Sequence, residues 1–325
     1  MRANLTKLQK KLCNSLQEGL SVCQEPYADL SKKLDSDEQT ILREVMELKR
    51  DGVIRRICAM INTLALGRAG TLIAAHISED NLKEIVGAIN SLEGVSHNYL
   101  RKHYYNLWFT LQAESPEQIE IAVSKLSARF GIEFHSLPVK RVFKLDVRFD
   151  AEGEGQYFGK VEHVPSNEPV QLNENEKRIL SKLQEDLEIT SRPFDFLCGE
   201  GLEIEKVLQI IQELIDKGVI RRVAAAVNHH KLGFAANVMF CSEVDEAGIA
   251  EAGEALARFG AVSHCYERQT IANWPYNLYA MMHGRSMGEI QRVISRFNES
   301  EGIVSFQLLP TEEELKKKPV KYRFD

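Results

Sequence analysis

The residues best suited to chemistry lie in one run near the C-terminus, at 262–285, which reads VSHCYERQTIANWPYNLYAMMHGR. His264, Tyr266 and Arg268 alternate along a predicted strand, so their side chains should share one face. A second predicted strand follows, and the loop between the two carries Trp274. The run therefore combines imidazole for iron or proton transfer, guanidinium for carboxylates and aromatic surface for a ring. A planar, apolar ligand with several carboxylates needs that mixture.

The candidate site extends beyond this run to other parts of the chain. We take four residues as catalytic candidates: His264, His283, Tyr266 and Arg268. The binding candidates in the second half are His229, Arg221, Arg222, Trp274, Tyr276 and Arg285. Each also has a simpler explanation, because a strand histidine can be a satisfied structural group and Trp274 can shape a turn. The combination, rather than any single residue, favours a site.

A long internal repeat organises the chain. GVIRRICAMIN at 52–62 and GVIRRVAAAVN at 218–228 share seven of eleven residues. VSHNYLR at 95–101 likewise matches VSHCYER at 262–268, and both halves end in similar segments, VRFD and YRFD. One unit has therefore been duplicated and fused, and we expect the two halves to pair about a pseudo-twofold axis.

Each copy shows the same predicted order of elements. Three helices lead into a strand that begins VIRR, which is typical of a winged helix-turn-helix, and a β-α-β-β-α-β pattern of the ferredoxin-like type follows. The fold class is thus α+β in tandem duplication. The predicted domains are a winged helix-turn-helix at 1–62, a ferredoxin-like domain at 63–150, a linker at 151–172, a second winged helix-turn-helix at 173–228 and a second ferredoxin-like domain at 229–325.

The two copies differ at the positions that matter for chemistry. His97, Tyr99 and Arg101 match the row His264, Tyr266 and Arg268 of the second half and are further binding candidates. However, Gln112 stands at the position of His283, and Thr63 at that of His229. We therefore expect the complete site in the second half, with a degenerate pocket or residues contributed across the interface from the first half, where His103 could partly substitute.

Composition narrows the class of protein. The 44% hydrophobic and 27% charged residues are typical of a folded chain with a core. The six cysteines form no CxxC pair, so neither a zinc site nor a redox motif is predicted and reduced, mostly buried thiols are expected. The N-terminus lacks the apolar segment of a signal peptide and no run is long enough to span a membrane, so we expect a cytoplasmic protein without membrane contact.

The domain order, with LxxxGVIRR and a Leu-Gly shortly after it, resembles the Lrp/AsnC family of regulators over both halves. That resemblance implies DNA binding, which the charges oppose. The helix at 36–52 carries five acidic and three basic residues, and the helix at 201–218 four and two. Acidic side chains repel phosphates, so these helices are better explained as packing elements, and no DNA partner is expected.

The run at 262–285 and the upstream NHHKLGFAANVM resemble the siroheme decarboxylases, an Lrp/AsnC-like family of paired or fused subunits. The resemblance implies removal of two acetate carboxyl groups from siroheme, giving didecarboxysiroheme for haem b or haem d1 synthesis. The conjugated substrate can accept the electrons, so no cofactor beyond its own iron is expected. Either His264 or His283 would protonate the new methyl carbon, and the other would face or ligate the iron. Arg268 with Arg221, Arg222 or Arg285 would hold carboxylates, Tyr266 would hydrogen-bond and Trp274 would pack on the ring.

Two alternatives follow from the same residues. The chain could be a regulator that senses haem or an amino acid, or a haem carrier without turnover. The fused chain could also form a homo-oligomer.

Overall fold

The computed structural model describes residues 3–153, 169–199, 201–301, 303 and 305–324. The predicted linker falls mostly at 154–168, outside the described residues. The first half contains α1 (Lys7–Glu18), α2 (Pro26–Lys33), α3 (Glu38–Arg50), β1 (Ile54–Ile61), β2 (Ala69–Ala75), α4 (Glu79–Ser91), β3 (Val95–Arg101), β4 (Leu107–Ala113), α5 (Pro116–Phe130) and β5 (Phe134–Leu145).

The second half repeats this order with one reduced element. It contains α6 (Glu174–Leu183), α7 (Ile204–Asp216), β6 (Ile220–Val227), β7 (Ala236–Glu243), α8 (Ile249–Ala257), β8 (Val262–Arg268), β9 (Leu278–Gly284), α9 (Met287–Glu301) and β10 (Ser305–Lys317). The second of the three helices expected in this copy is only a 3₁₀ turn, Asp195–Leu197. The turn ends at Cys198, whose backbone is extended, and Gly199 and Gly201 have positive φ just after it. The tandem α+β fold predicted from the sequence is confirmed.

The two ferredoxin-like units close into one barrel, with strand order β10-β3-β4-β2-β5-β8-β9-β7. Strand β5 is longer than the repeat predicted because it pairs first with β2 of its own half and then, from Val139 onward, with β8 of the other. Strand β10 does the same with β7 and β3. The pseudo-twofold pairing of the halves is thus made by backbone hydrogen bonds that leave no open sheet edge between them.

The winged helix-turn-helix units also pair, through antiparallel β1 and β6. The pairing is symmetric at its ends, since the amide of Asn62 donates to the carbonyl of Val219 and that of Asn228 donates to Val53, at 2.9 and 2.8 Å. One hydrophobic core runs through both units and includes Leu12 from α1 and Ile210 from α7. Each wing therefore packs against the other.

Three further cores occupy the barrel and its two faces. Helices α4 and α5 cover one half-sheet, helices α8 and α9 cover the other, and an aromatic cluster fills part of the interior. Contacts between halves support these layers: the ammonium group of Lys144 on β5 donates to the carbonyls of Ala257 and Phe259 at the end of α8, at 2.9 and 3.1 Å. A cation there satisfies carbonyls that the helix leaves unpaired.

Two absences hold for the described residues. None of their helices is long and apolar enough to cross a membrane. All six cysteines are described and free, four of them buried, as expected for reduced thiols.

The packing of α8 on β5 gives a testable prediction. A Cβ added at Gly253 would overlap the ring of Phe143, which is itself buried against the other half. We expect Gly253→Ala to lower the free energy of unfolding by about 1–3 kcal/mol, because an overpacked core must shift. Urea denaturation measures this change.

Gly87 in α4 is the matched control, since nothing lies within 4 Å of a Cβ added there. Gly87→Ala should be neutral or stabilising by up to about 1 kcal/mol through helix propensity. Equal effects of the two substitutions would contradict the close approach of Phe143.

Candidate active site

A β-bulge in β8 positions Ser263 and His264, the two residues at the centre of the site. The pairing with β9 skips one residue, since Val262 lies opposite Met282 and His264 opposite Met281. Ser263 is therefore the extra residue, and the bulge re-aims the side chains around it. Val262 and Cys265 pack in the core beneath α8 and α9, whereas His264 lies on the barrel side. Such bulges often lie next to active sites.

Ser263 links the two histidines that the sequence singled out. Its Oγ lies 2.9 Å from Nδ1 of His264 and 3.0 Å from Nε2 of His283. It also lies 3.2 Å from the carbonyl oxygen of Met281. Ser263 was missed by the sequence reasoning, although it stands in the VSH triplet that both halves share.

The predicted row along β8 is present. The rings of His264 and Tyr266 are 6.0 Å apart, and the guanidinium of Arg268 lies 4.9 Å from the Tyr266 ring. Arg268 is buried and donates to the carbonyl of Leu137 on β5 at 2.8 Å. Arg101 mirrors it by donating to the carbonyl of Leu309 on β10 at 2.6 Å. Both arginines thus also join the two halves.

A cluster of rings surrounds His283. The ring of Phe149 stacks on His229 at 5.3 Å and meets His283 edge-on at 5.1 Å, while His229 and His283 are 5.3 Å apart. Nε2 of His229 and Nδ1 of His283 are buried and have no hydrogen-bond partner in the described structure. An unpaired buried nitrogen is costly, which points to a further partner in the working protein.

Phe149 is brought there by a segment at 146–153, which we call the strap. It leaves the end of β5 in the first half and crosses the second half. Gln17 on α1 holds it through both backbone groups of Phe149, at 3.0 and 2.8 Å, and Asn14 accepts from the amide of Ala151 at 2.9 Å. The sequence reasoning missed Phe149, although the repeated RFD ending was the available signal.

Cationic side chains from three other elements act on the histidines. Burial comes first in each case; in addition, His97 and Arg221 on β6 lower the pKa of His264 while Asp146 raises it, and Lys317 on β10 together with Arg55 on β1 lowers the pKa of His97 and His229. Lys317 was not predicted, because only the crossing of β10 brings it to this site. The site is therefore positive, which suits a polyanionic ligand.

Burial is the main cause of the pKa shifts of the histidines. It lowers the pKa of His97 to about 4 and that of His229 and His264 to about 3. The pKa of His283 is also lowered well below its usual value, again mainly by burial. All four imidazoles are consequently neutral near pH 7 in the ligand-free protein.

Other predicted arginines are engaged with the protein itself. Arg222 forms an ion pair with Asp146 at 3.1 Å, and Arg148 contacts the same carboxylate. Arg221 donates to the carbonyl of Leu145. Arg285 lies over the ring of Phe234 at 5.3 Å and reaches the carbonyl of Asp150 at 3.4 Å. These contacts fix the strap and β5 beside the histidines.

Trp274 and Tyr276 are not brought together with His264 and His283. Trp274 is buried in the barrel interior, where its Nε1 donates to the hydroxyl of Tyr279 at 2.7 Å and its ring lies 4.6 Å from Tyr276. It packs against Tyr105 and Trp108 of the first half. Tyr279 lies opposite Tyr266 on β9, and its ring is 5.7 Å from the Arg268 guanidinium, so Trp274 meets the row at Tyr266 and Arg268. Trp274 closes the far end of the row.

The first half has the same framework without the second histidine. Ser96 Oγ lies 2.8 Å from Nδ1 of His97, but its other partner is the hydroxyl of Thr110 at 2.9 Å. Gln112, at the position of His283, accepts instead from the hydroxyl of Tyr322 at 2.9 Å. His103 lies beside Trp274 at 5.0 Å and does not join His97. Among the described residues no group of three or more His, Cys, Asp or Glu could hold a metal ion.

Comparison with known proteins identifies the family. The chain is 34% identical over 316 residues to a protein named siroheme decarboxylase from Hydrogenobacter thermophilus, covering 96% of this chain and 94% of that one. The chain belongs to the siroheme decarboxylase family. Residues 9–55 match a domain described as siroheme decarboxylase NirDL-like HTH, and residues 65–144 and 231–316 match the AsnC-like ligand binding domain.

Two further relatives, a separate subunit and a solved structure, show how the fused chain corresponds to other siroheme decarboxylases. A siroheme decarboxylase alpha subunit from Desulfovibrio desulfuricans is 34% identical over 152 residues, 47% of this chain and 88% of that subunit. Separate subunits thus correspond to the fused halves. A crystal structure of the siroheme decarboxylase NirDL in complex with an iron-uroporphyrin III analogue matches with a TM-score of 0.72 and 31% identity, covering 98% of this chain and 95% of that chain. Both resemblances predicted from the sequence are confirmed, and the DNA-binding regulator is not favoured.

The buried neutral histidines predict how stability depends on pH. The unfolded chain binds protons below about pH 6.5 whereas the folded chain does not, so stability is full above that pH and is lost as pH falls towards 3–4. Each such histidine contributes up to about 1.4 kcal/mol per pH unit in this window. We expect His229→Gln to reduce the loss of unfolding free energy between about pH 6.5 and pH 5.

Urea denaturation at several pH values measures this slope. Thr63→Ala, at the counterpart of His229 in the first half, removes no titratable group and is the control. A slope for His229→Gln that equals that of the wild type would show that this histidine is not held neutral.

Proposed function

We propose that this chain removes two acetate carboxyl groups from siroheme as CO2 and so acts as a carboxy-lyase. The observation that carries the proposal is the complete histidine site of the second half, set among cationic groups, in a chain of this family. Arg55, Arg221 and Lys317 lie close enough to the histidines to lower their pKa values, and cations in this place suit a macrocycle that bears many carboxylates. The complex of a related protein with an iron-uroporphyrin III analogue supports the same ligand class.

We assign the substrate side of the site to His264. Its Nδ1 is occupied by Ser263, so Nε2 is the nitrogen left for the ligand, and the residue is partly exposed. The remaining nitrogen of His283 is buried behind the Phe149 ring. Tyr266 lies beside His264 as a hydrogen-bonding group, and Arg268 holds Tyr266 in place while bonding the opposite half.

The reaction requires proton delivery and orientation rather than redox chemistry by the protein. The bond between the acetate carbon and its carboxylate breaks, CO2 leaves, and the electron pair delocalises into the conjugated macrocycle. His264 then gives a proton to that carbon and a methyl group results. Each CO2 released consumes one proton, and cationic groups that fix the other carboxylates would orient the reacting one.

Turnover tests the proposal directly. The protein is mixed with siroheme without oxygen, and the tetrapyrrole mass is followed. We expect loss of two carboxyl groups per molecule. An unchanged mass with bound siroheme would instead identify a carrier, and salt-dependent binding to DNA would favour the regulator.

Substitutions test the asymmetry between the halves. His264→Ala and His283→Ala should each reduce kcat by about 10²–10⁴-fold, the usual contribution of a positioned acid or base. His97→Ala and Gln112→Ala, at the matching positions of the first half, should cost much less. Binding of iron uroporphyrin is measured in parallel to confirm an intact pocket, and an equal loss from His97→Ala would contradict a single complete site.

A further inference from the structure

We propose that Ser263 is the relay residue that passes a proton from His283 to His264. The proposal rests on the proposed function and adds a residue to it. Ser263 is the bulged residue of β8, is 4% exposed, and its Oγ lies within 3.0 Å of a ring nitrogen of each histidine. No other described side chain bridges the two rings.

The hydrogen-bond inventory gives the relay a direction. A serine hydroxyl has one hydrogen to donate and two lone pairs to accept with. Its hydrogen can point to Nδ1 of His264 at 2.9 Å or to the carbonyl oxygen of Met281 at 3.2 Å, and the relay operates in the state in which the hydrogen points to His264. His264 then carries its own hydrogen on Nε2, towards the substrate. His283 donates its Nε2 hydrogen to the serine oxygen.

The far nitrogen of His283 is the entry point. Nδ1 of His283 is buried without a partner behind the Phe149 ring, and a cavity of about 120 Å³ lined by both residues adjoins it, so that displacement of the ring would admit water to this nitrogen. The cavity is lined by Phe149, Asp150, Phe234, Ala261, Ser263 and Glu289, among others. It is large enough for several water molecules, and Ala261 and Glu289 are partly exposed, so water can bring protons from the surface.

The transfer balances in protons and electrons. His264 gives its Nε2 hydrogen to the acetate carbon as CO2 leaves, and its Nδ1 takes the hydrogen of Ser263. The serine oxygen takes the Nε2 hydrogen of His283, and Nδ1 of His283 receives one proton from water in the cavity. Both histidines end neutral with the hydrogen on the opposite nitrogen, and rotation of the rings or back-transfer through solvent restores the start. No oxidant or reductant is needed.

The first half supplies an internal comparison. Ser96 contacts His97 in the same way, but its second partner is Thr110, and the position of His283 holds Gln112. An amide cannot accept and release a proton as an imidazole does. The serine is thus present in both halves, and the relay is complete in one.

The experiment compares Ser263→Ala, Ser263→Thr and Ser96→Ala. We expect Ser263→Ala to reduce kcat roughly 10- to 100-fold with little change in KM or in binding of iron uroporphyrin, because the acid loses its proton supply. Ser263→Thr retains the hydroxyl and should recover most of kcat. Ser96→Ala should behave as the wild type. A Ser263→Ala enzyme within twofold of wild-type kcat would overturn the relay, and so would equal loss in the Ala and Thr variants with binding intact.

A second measurement does not depend on turnover. Nitrogen NMR of the imidazoles in the ligand-free protein reports which ring nitrogen carries the hydrogen. We expect both His264 and His283 to carry it on Nε2 in the wild type, and Ser263→Ala to change the signals of both, whereas Ser96→Ala changes neither. Unchanged signals in Ser263→Ala would refute the hydrogen-bonded bridge. If the wild type does not decarboxylate siroheme but Ser263→Ala still changes the signals of both histidines, the proposed function is refuted and the hydrogen-bonded bridge is not.

Discussion

The crossing of the last strand of each half into the other is the interaction on which the rest of the structure depends. Strand β5 hydrogen-bonds to β2 and then to β8, and β10 to β7 and then to β3. These ladders close the barrel and place residues of one half beside the site of the other. Lys317 reaches the histidines from β10, and Phe149 reaches them from the strap that continues β5. A single copy of the repeat would lack both.

Duplication kept the scaffold and allowed the side chains to diverge. Gln17 and Gln184 occupy the same place at the ends of α1 and α6, and each holds a crossing segment through both backbone groups of an aromatic residue. Gln17 holds Phe149, which contacts His283 of the second-half site. Gln184 holds Tyr322, which bonds Gln112 of the first half. The frameworks match, but only the second-half site has an imidazole, that of His283, at this position.

The sequence was sufficient for the elements and for the row His264, Tyr266 and Arg268, because these follow from local periodicity and repetition. The sequence was insufficient for side chains whose positions depend on contacts between distant segments of the chain. The repeat aligned VRFD with YRFD, which places Val147 opposite Tyr322, whereas the glutamine contacts place Phe149 there, two residues later. Trp274 was expected to pack on the ligand ring beside the row, and its loop folds into the barrel interior, where it contacts Tyr279 opposite Tyr266.

The position of Ser263 could not be predicted from the sequence either. Strict alternation along β8 would put Ser263 and His264 on opposite faces. The bulge removes that constraint, so that consecutive residues act together. No period in the sequence marks a bulge, and the only local signal was that VSH is retained in both halves.

Electrostatics connects this arrangement to ligand binding. Burial and the nearby cations hold the histidines neutral in the ligand-free protein, and a neutral imidazole is a poor acid unless its other nitrogen takes up a hydrogen at the same time. Carboxylates of a bound polyanion would offset the positive charge of Arg55, Arg221 and Lys317 and so favour the protonated form of the rings. The same cations that attract the ligand therefore suppress protonation in its absence. A bound polyanion therefore favours proton uptake by His283, and without the polyanion the cations oppose it. Proton donation is thus restricted to the complex.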